Sequence, residues 1–191
     1  MATIPGYDYG RVGPGPINLE DLEKVKASVL FTDADAAALR SAGELLEPHV
    51  EQILEVWHGF LTTHPLLGAY FGTADGRLLE PYLARTLRRF GEWFRDSCRR
   101  PYDQAWLDYQ NEIALRHTPT RKNMTDGVDA LPHVPLRYLV GFIYPVTMSV
   151  RPYLATGGRS AEEVDAMFAA WFKSVTLQVA LWTQAYAPEL W

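Results

Sequence analysis

The sequence predicts an all-α protein. Several segments carry apolar residues at the three- and four-residue spacing of a helix, and glycine- and proline-rich breaks separate them. No segment shows a convincing strand pattern of alternating apolar and polar residues. The 191 residues, 48% hydrophobic and 21% charged, suit one domain with a sizeable core. We therefore expect a globular domain over residues 18–191, preceded by an extension over residues 1–17.

The extension is rich in glycine and proline, so we predict irregular structure there. Its two isoleucines and two tyrosines are unusual for a disordered tail, and we expect it to pack on the domain. Asn18 is a good N-cap for a short helix that ends near Ser28. Thr32, with Asp35 three residues later, predicts a capped helix to about Leu45.

The next predicted helix runs from Glu47 to Thr63. Its apolar stripe comprises Val50, Ile53, Leu54, Trp57, His58 and Leu61. A histidine at position 58 is thus expected to face the core. After a break at Pro65, a helix from about Leu78 to Arg99 directs Leu83, Leu87, Phe90 and Phe94 inward.

The following helix, from about Tyr102 to His117, carries the most informative histidine. Trp106, Tyr109, Gln110, Ile113 and His117 share one face. Pro119 ends the helix at about His117 or Thr118. An imidazole at the end of an apolar helix face is suited to serve as an axial ligand of haem iron. Most lone histidines on apolar faces are structural, so from this helix alone an ordinary half-buried histidine is the commoner interpretation.

Two helices are predicted at the C-terminal end, after a polar loop over residues 118–135. The first runs from Leu136 to Ala155 and should be kinked at Pro145. The last begins at a capping box of Ser160 and Glu163 and reaches about Ala185. It has two apolar stripes. One contains Val164, Phe168, Trp171, Phe172, Val175, Val179 and Trp182, and the other adds Ala170, Leu177 and Leu181. One stripe can face the core and the other a partner subunit.

Charge and composition exclude several classes. A net charge of -5 without a long basic run argues against a nucleic-acid partner. The most basic cluster, Arg85 to Arg89, is either the solvated side of an amphipathic helix or an anchor for anionic groups such as haem propionates, with Arg89 as our candidate. The single cysteine, Cys98, excludes a disulfide within the chain. We find no signal peptide and no uninterrupted apolar run of membrane-spanning length, so we expect a cytoplasmic protein.

The familiar catalytic motifs of nucleotide-binding proteins, serine hydrolases and zinc proteases are missing from the sequence. Of the five histidines, only His58 and His117 combine a predicted helix with an apolar face. Two such residues on separate helices could flank one planar cofactor.

Long segments of the chain resemble the protoglobins, the single-domain relatives of the globin-coupled sensors. The resemblance covers nearly the whole length, through IPGYDYG, NLEDL, EQILEVWHGF, YDQAWLDYQNEIALRH, RYLVGFIYP and AWFKSVTLQVALW. It implies a globin helical sandwich with an extra N-terminal helix and an extension folded over the haem. It also implies reversible binding of O2, CO or NO, and a homodimer formed through the last two helices.

The resemblance assigns roles to individual residues. It implies haem b with His117 as the proximal iron ligand. It places Trp57, Phe90 and Phe142 on the distal side or the pocket walls, with Ile53 and Leu139 nearby. The residue after Trp57 is usually tyrosine in such proteins, whereas here it is His58. This histidine could donate a hydrogen bond to bound dioxygen, or it could coordinate the iron.

Other functions stay open at this stage. A haem enzyme could show peroxidase-like, NO dioxygenase or carbene-transfer activity, incidental or engineered, with His58 as an acid or base. A gas sensor would need a separate partner for its output. A helical interaction module without a cofactor would be colourless.

Overall fold

The computed structural model describes residues 4–191, and within them it is helical without a strand. The α-helices are α1 (Leu19–Ser28), α2 (Asp33–Leu46), α3 (Val50–Thr63), α4 (Pro65–Gly68), α5 (Glu80–Arg99), α6 (Gln104–Leu115), α7 (Leu136–Met148), α8 (Arg151–Leu154) and α9 (Ala161–Trp182). Short 3-10 turns occupy Glu47–His49, Ala69–Phe71, Ala155–Gly157, Thr183–Ala185 and Pro188–Leu190. The prediction of an all-α fold is confirmed.

Side-chain caps begin four of the helices, as the sequence predicts for three of them. Asn18 accepts a hydrogen bond from the backbone of α1, and Thr32 and Ser160 each form a reciprocal capping box with the third residue of α2 and α9. Asp103 caps α6 by accepting from the backbone N–H of Trp106 at 2.9 Å. These caps fix the N-terminal ends of α1, α2, α6 and α9.

The predicted single helix from Leu136 to Ala155 is wrong in one respect. It is broken between α7 and α8, and Pro152 supplies the reason. Proline has no N–H to donate to the carbonyl four residues back, and its ring clashes with that carbonyl. Met148, four residues before Pro152, is the last residue of α7. Helix α3 begins at Val50, later than the predicted Glu47, because Glu47–His49 forms a 3-10 turn before it.

Helix α9 is the central helix of the fold, and it packs against α1, α2, α6, α7 and α8. Its second apolar stripe is covered within the chain: Leu177 and Leu181 are buried in a cluster with Leu22 of α1 and Trp106 and Leu107 of α6. The inference that this stripe faces a partner subunit is therefore wrong. The helix instead exposes Phe172, which the sequence pattern had assigned to the inward stripe.

The burial of α9 on two sides also explains why this helix is as apolar as a membrane-spanning segment. By length and composition alone, the segment Ala161–Ala185 is apolar enough to cross a membrane. However, more than half of that window is buried inside the protein, at 56%. A helix that is covered on two sides by its own chain needs apolar residues on both sides, which explains its composition without a bilayer.

The N-terminal extension contacts α5 and α6. The backbone N–H of Gly15 donates to Asp108 at 2.9 Å, and the Tyr7 hydroxyl donates to Asp96 at 3.2 Å. The ring of Tyr7 packs edge-on against Tyr109, with 4.8 Å between the ring centres. Residues before α1 are thus held by specific polar and aromatic contacts.

Candidate functional site

An apolar cavity lies among α3, α5, α6, α7 and α9. The walls are mostly aromatic and aliphatic side chains. His117 is the one imidazole that the described part of the chain places on them.

His117 lies just beyond the end of α6. The helix stops at Leu115, two residues earlier than the sequence predicts, and the chain then closes a tighter turn in which the His117 N–H donates to Ala114 at 3.0 Å. The ring Nδ1 lies 2.8 Å from the carbonyl oxygen of Ile113. Because a carbonyl can only accept, Nδ1 carries the proton, and the lone pair of a neutral ring resides on Nε2.

The protonation state of His117 follows from its burial. Loss of water contact lowers its pKa to about 4, with smaller contributions from the nearby charges of Lys122 and Arg116, while the bond to Ile113 acts in the opposite direction. The imidazole is therefore neutral at pH 7. With Nδ1 turned toward its own helix, Nε2 is the nitrogen available to a ligand in the cavity.

A stacked tryptophan and a backbone hydrogen bond help to hold His117 in place. The ring of Trp182 stacks against it at 5.5 Å with an interplanar angle of 25°. The His117 carbonyl accepts a hydrogen bond from the backbone N–H of Val134 at 2.9 Å. The loop after α6 is thus tied back to the residue that presents the imidazole.

Three tryptophans give the cavity flat apolar walls. Each indole N–H is bonded to a side chain: Trp57 to Ser149 at 2.7 Å, Trp93 to Gln178 at 2.6 Å, and Trp182 to Gln110 at 2.9 Å. Buried indole N–H groups need such partners. Because these donors are already used, the rings offer the cavity chiefly apolar surface.

A second cavity adjoins the first at His117, Phe90 and Trp93. Its far side is polar and is lined by Arg89, Arg116, Lys122, Asp126 and Thr125. Tyr7 of the N-terminal extension forms part of the wall. The imidazole thus lies between an apolar chamber and a charged one.

Two of the three cations in the charged chamber have carboxylate partners. Arg89 binds Asp126 at 2.5 Å and 3.2 Å, and Arg85 binds the same carboxylate at 2.7 Å. Burial opposes ionisation of Asp126, yet the hydrogen bonds and charge of these arginines lower its pKa. Arg116 binds Glu112 at 2.9 Å and Asp8 at 3.2 Å.

Lys122 is the third cation, and it is only 4% exposed. Its ammonium donates to the carbonyl oxygen of Tyr70 at 2.8 Å and lies 5.2 Å from the centre of the Tyr82 ring. Burial lowers the pKa of Lys122 to about 8. No Asp or Glu carboxylate in residues 4–191 comes within 4 Å of its Nζ.

Most of the residues predicted for the site lie together. Those on the first cavity are Trp57, Phe90, Ile113, His117, Leu139 and Phe142. Arg89 lines the second cavity. Ile53, one helical turn from Trp57 on α3, lines neither cavity and is buried in the core cluster.

The expectation that His58 faces the core is wrong. Its half-buried side chain lines an open groove between α3 and α5, together with Leu54, Glu55 and Leu83. Successive residues of a helix are about 100° apart, so the residue after a fully inward Trp57 turns toward the neighbouring helix. His58 and His117 therefore do not flank one cavity in this structure.

Sequence reasoning missed several wall residues. Trp93 lies three residues after Phe90 on α5, so helical spacing could have identified it. Tyr70, Phe71 and Lys122 come from turns and loops, where no periodicity signals which side chains point inward.

Comparison with known proteins gives the family. The family model for the protoglobins matches residues 18–191. The chain belongs to the protoglobin family. No curated protein matches it. Among solved structures, this protoglobin is similar to the globin domain of the Geobacter sulfurreducens globin-coupled sensor, with 18% identity, a TM-score of 0.66, and coverage of 86% of this chain and 96% of that chain.

The match to a globin domain confirms the predicted globin fold of this protoglobin. Family membership supports a globin-type role in which a haem group binds a gas. The donor set suits such a group, because one neutral imidazole is presented to an apolar cavity.

Proposed function

We propose that this protoglobin binds haem b through His117 and reversibly binds O2, CO or NO at the iron. One observation carries the proposal: a neutral imidazole, anchored through Nδ1, lies with Nε2 available on the wall of the apolar cavity. A bound Nδ1–H is the usual arrangement of a metal-ligating histidine, because it fixes the ring and leaves Nε2 basic.

Haem supplies an iron atom with a coordination position for a diatomic gas. The chain's own residues control what surrounds that position. Trp57, Phe90 and Phe142 provide apolar surface that excludes water. Because the indole donors are engaged elsewhere, we expect weak hydrogen bonding to a bound gas and little discrimination based on ligand polarity.

The enzymatic alternatives receive less support from the geometry. Peroxidase-like chemistry benefits from an acid–base group next to the reacting atoms, and His58 lies outside the cavity. NO dioxygenation needs a source of electrons, and a sensor needs an output partner. We therefore place gas binding first and treat turnover as a secondary activity.

A homodimer through the last two helices is also proposed. Its interface would use exposed residues of α7 and α9 in place of the second apolar stripe of α9, which is buried within the chain. Helix α7 exposes Val140, Tyr144 and Met148 at four-residue spacing, at 51%, 71% and 40%, and α9 exposes Phe172 at 48%. Large exposed apolar residues on two packed helices favour an interface. Sedimentation of Tyr144→Glu should show a shift toward monomer, whereas Leu66→Glu, which changes an exposed residue on α4, should not. A cytoplasmic location stays a proposal.

The haem assignment is tested by visible spectra of the purified protein in the ferric, ferrous and ferrous-CO states. The wild-type protein should show a strong Soret band that CO shifts. His117→Gly should lose stable haem, and added imidazole should restore binding, because it replaces only the missing ring. His49→Gly, which changes a half-buried histidine that lines neither cavity, is the matched control.

Full haem retention and an unchanged spectrum in His117→Gly without imidazole would refute the ligand assignment. A wild-type protein that takes up no haem at all would refute the proposed function.

A further inference from the structure

We propose that Lys122 binds a carboxylate of the tetrapyrrole and is the principal charged anchor of the cofactor. The inference rests on the proposed function, and it assigns to Lys122 the role that the sequence suggested for Arg89. It rests on which of the three cations lining the second cavity already has a carboxylate partner.

Arg89 and Arg116 already have carboxylate partners. Asp126 receives hydrogen bonds from both Arg85 and Arg89, and Arg116 lies between Glu112 and Asp8. A ligand carboxylate at either arginine would have to displace a buried protein carboxylate or share its cation. That exchange gains little, because one ion pair replaces another.

Lys122, unlike the two arginines, has no carboxylate partner in the described chain. Its ammonium is buried, and in the described chain its polar contact is a neutral carbonyl, that of Tyr70, with the Tyr82 ring nearby. A buried ammonium without an anion is unfavourable, so a ligand carboxylate would restore a balance that the protein alone lacks. The lysine also has two further donor hydrogens after bonding to Tyr70.

The position of Lys122 fits a group attached to a ligand of His117. Both residues line the second cavity, and His117 also lines the first. The backbone N–H of Lys122 donates to the carbonyl of Thr118 at 3.1 Å, which holds the lysine on the turn that immediately follows the histidine. A large ring near His117 with acidic side groups can therefore occupy the apolar chamber and direct an acid into the charged one.

The test compares two ligands that differ only in their carboxylates. The full chain is reconstituted with iron protoporphyrin IX or with its dimethyl ester, and the rate of transfer to an excess of a haem-scavenging protein is measured. For Lys122→Met we expect the diacid to be lost about 10- to 100-fold faster, the range for a charge-assisted bond, while the ester is lost at the wild-type rate. The unchanged ester rate also shows that the variant is folded.

Two further variants sharpen the result. Lys24→Met, on the exposed face of α1, should leave both rates unchanged. Arg89→Met leaves Asp126 with one partner fewer and so disturbs the cavity wall. We therefore expect it to accelerate the loss of the diacid and of the ester alike, because this disturbance does not depend on the carboxylates of the ligand.

Equal acceleration of both ligands in Lys122→Met would overturn the inference, as would a diacid-specific effect that appears in Arg89→Met but not in Lys122→Met. In either case the wild-type protein would still bind the tetrapyrrole, so the proposed function would stand. If the wild-type protein bound neither ligand, both proposals would fail together.

Discussion

Replacing Gln178 by leucine tests whether buried polar groups hold the cavity wall in shape. Gln178 is fully buried in α9. Its Oε1 accepts the N–H of Trp93 at 2.6 Å, and its Nε2 donates to Ser97 at 3.1 Å and Ser174 at 3.2 Å. Leucine has a similar volume, so Gln178→Leu removes these bonds without opening a large cavity.

The expected cost follows from which partners are left without a bond. The Trp93 N–H would become a buried donor with no acceptor, at about 1–3 kcal/mol. Ser97 retains its bond to the Trp93 carbonyl at 2.8 Å, and Ser174 retains Tyr102 at 2.6 Å, so the serines add little. We expect Gln178→Leu to lower the free energy of unfolding by about 2 kcal/mol.

Urea unfolding followed by circular dichroism measures this cost, and a double-mutant cycle with Trp93→Phe assigns it. In the Trp93→Phe background no indole N–H remains to be left unsatisfied, so Gln178→Leu should cost about 1–2 kcal/mol less than it does in the wild type. Thr176→Val, on the same helix, should change stability by less than about 0.5 kcal/mol. Equal costs of Gln178→Leu in both backgrounds would refute the reasoning.

Three further predictions concern His117, His58 and Gly6. Burial lowers the pKa of His117 to about 4 from an ordinary 6.5, so on acidification the unfolded chain takes up the proton before the folded chain does. The haem-free chain should therefore lose about 3 kcal/mol of its free energy of unfolding as the pH falls from about 6.5 to about 4. The urea-midpoint profile of His117→Leu should lack this loss. His58→Ala should leave the ferrous and CO spectra unchanged, since the side chain lies outside the cavity, and a shifted Soret band would contradict that placement. Gly6→Ala should loosen the N-terminal extension and speed its proteolysis, because φ is +76° and the added carbon would lie 2.8 Å from Thr125; Gly10→Ala, with φ of +71° but open space around it, should have the smaller effect.

The parts of the site that lie on long helices could be predicted from the sequence. Trp57, Phe90 and Ile113 come from helix interiors where apolar spacing specifies the inward face, and each lines the first cavity. Phe142, which the family resemblance placed in the site, lines it as well. Helix starts were predictable for a related reason: Asn18, Thr32 and Ser160 satisfy backbone donors of their own helix, so the signal is local.

Side chains at the edge of a stripe could not be predicted in the same way. His58 belongs to the apolar pattern of α3, but a stripe wide enough to contact two helices does not say which of them a marginal residue faces. The second stripe of α9 shows the same ambiguity: the pattern correctly indicated a helix buried on two sides, but the cover is α1 and α6 of the same chain.

The charged side of the site was hardest to predict, because a cation's role depends on partners that are distant in sequence. Arg89 stands in a basic cluster and seemed free to bind an anion, yet its partner Asp126 lies 37 residues away in a loop. Lys122 is an isolated lysine in a polar loop, where sequence alone indicates solvent, and the fold buries it beside His117 without a carboxylate. Only pairing in three dimensions decides which cation remains for a ligand, and the protein carboxylates leave Lys122 as that cation.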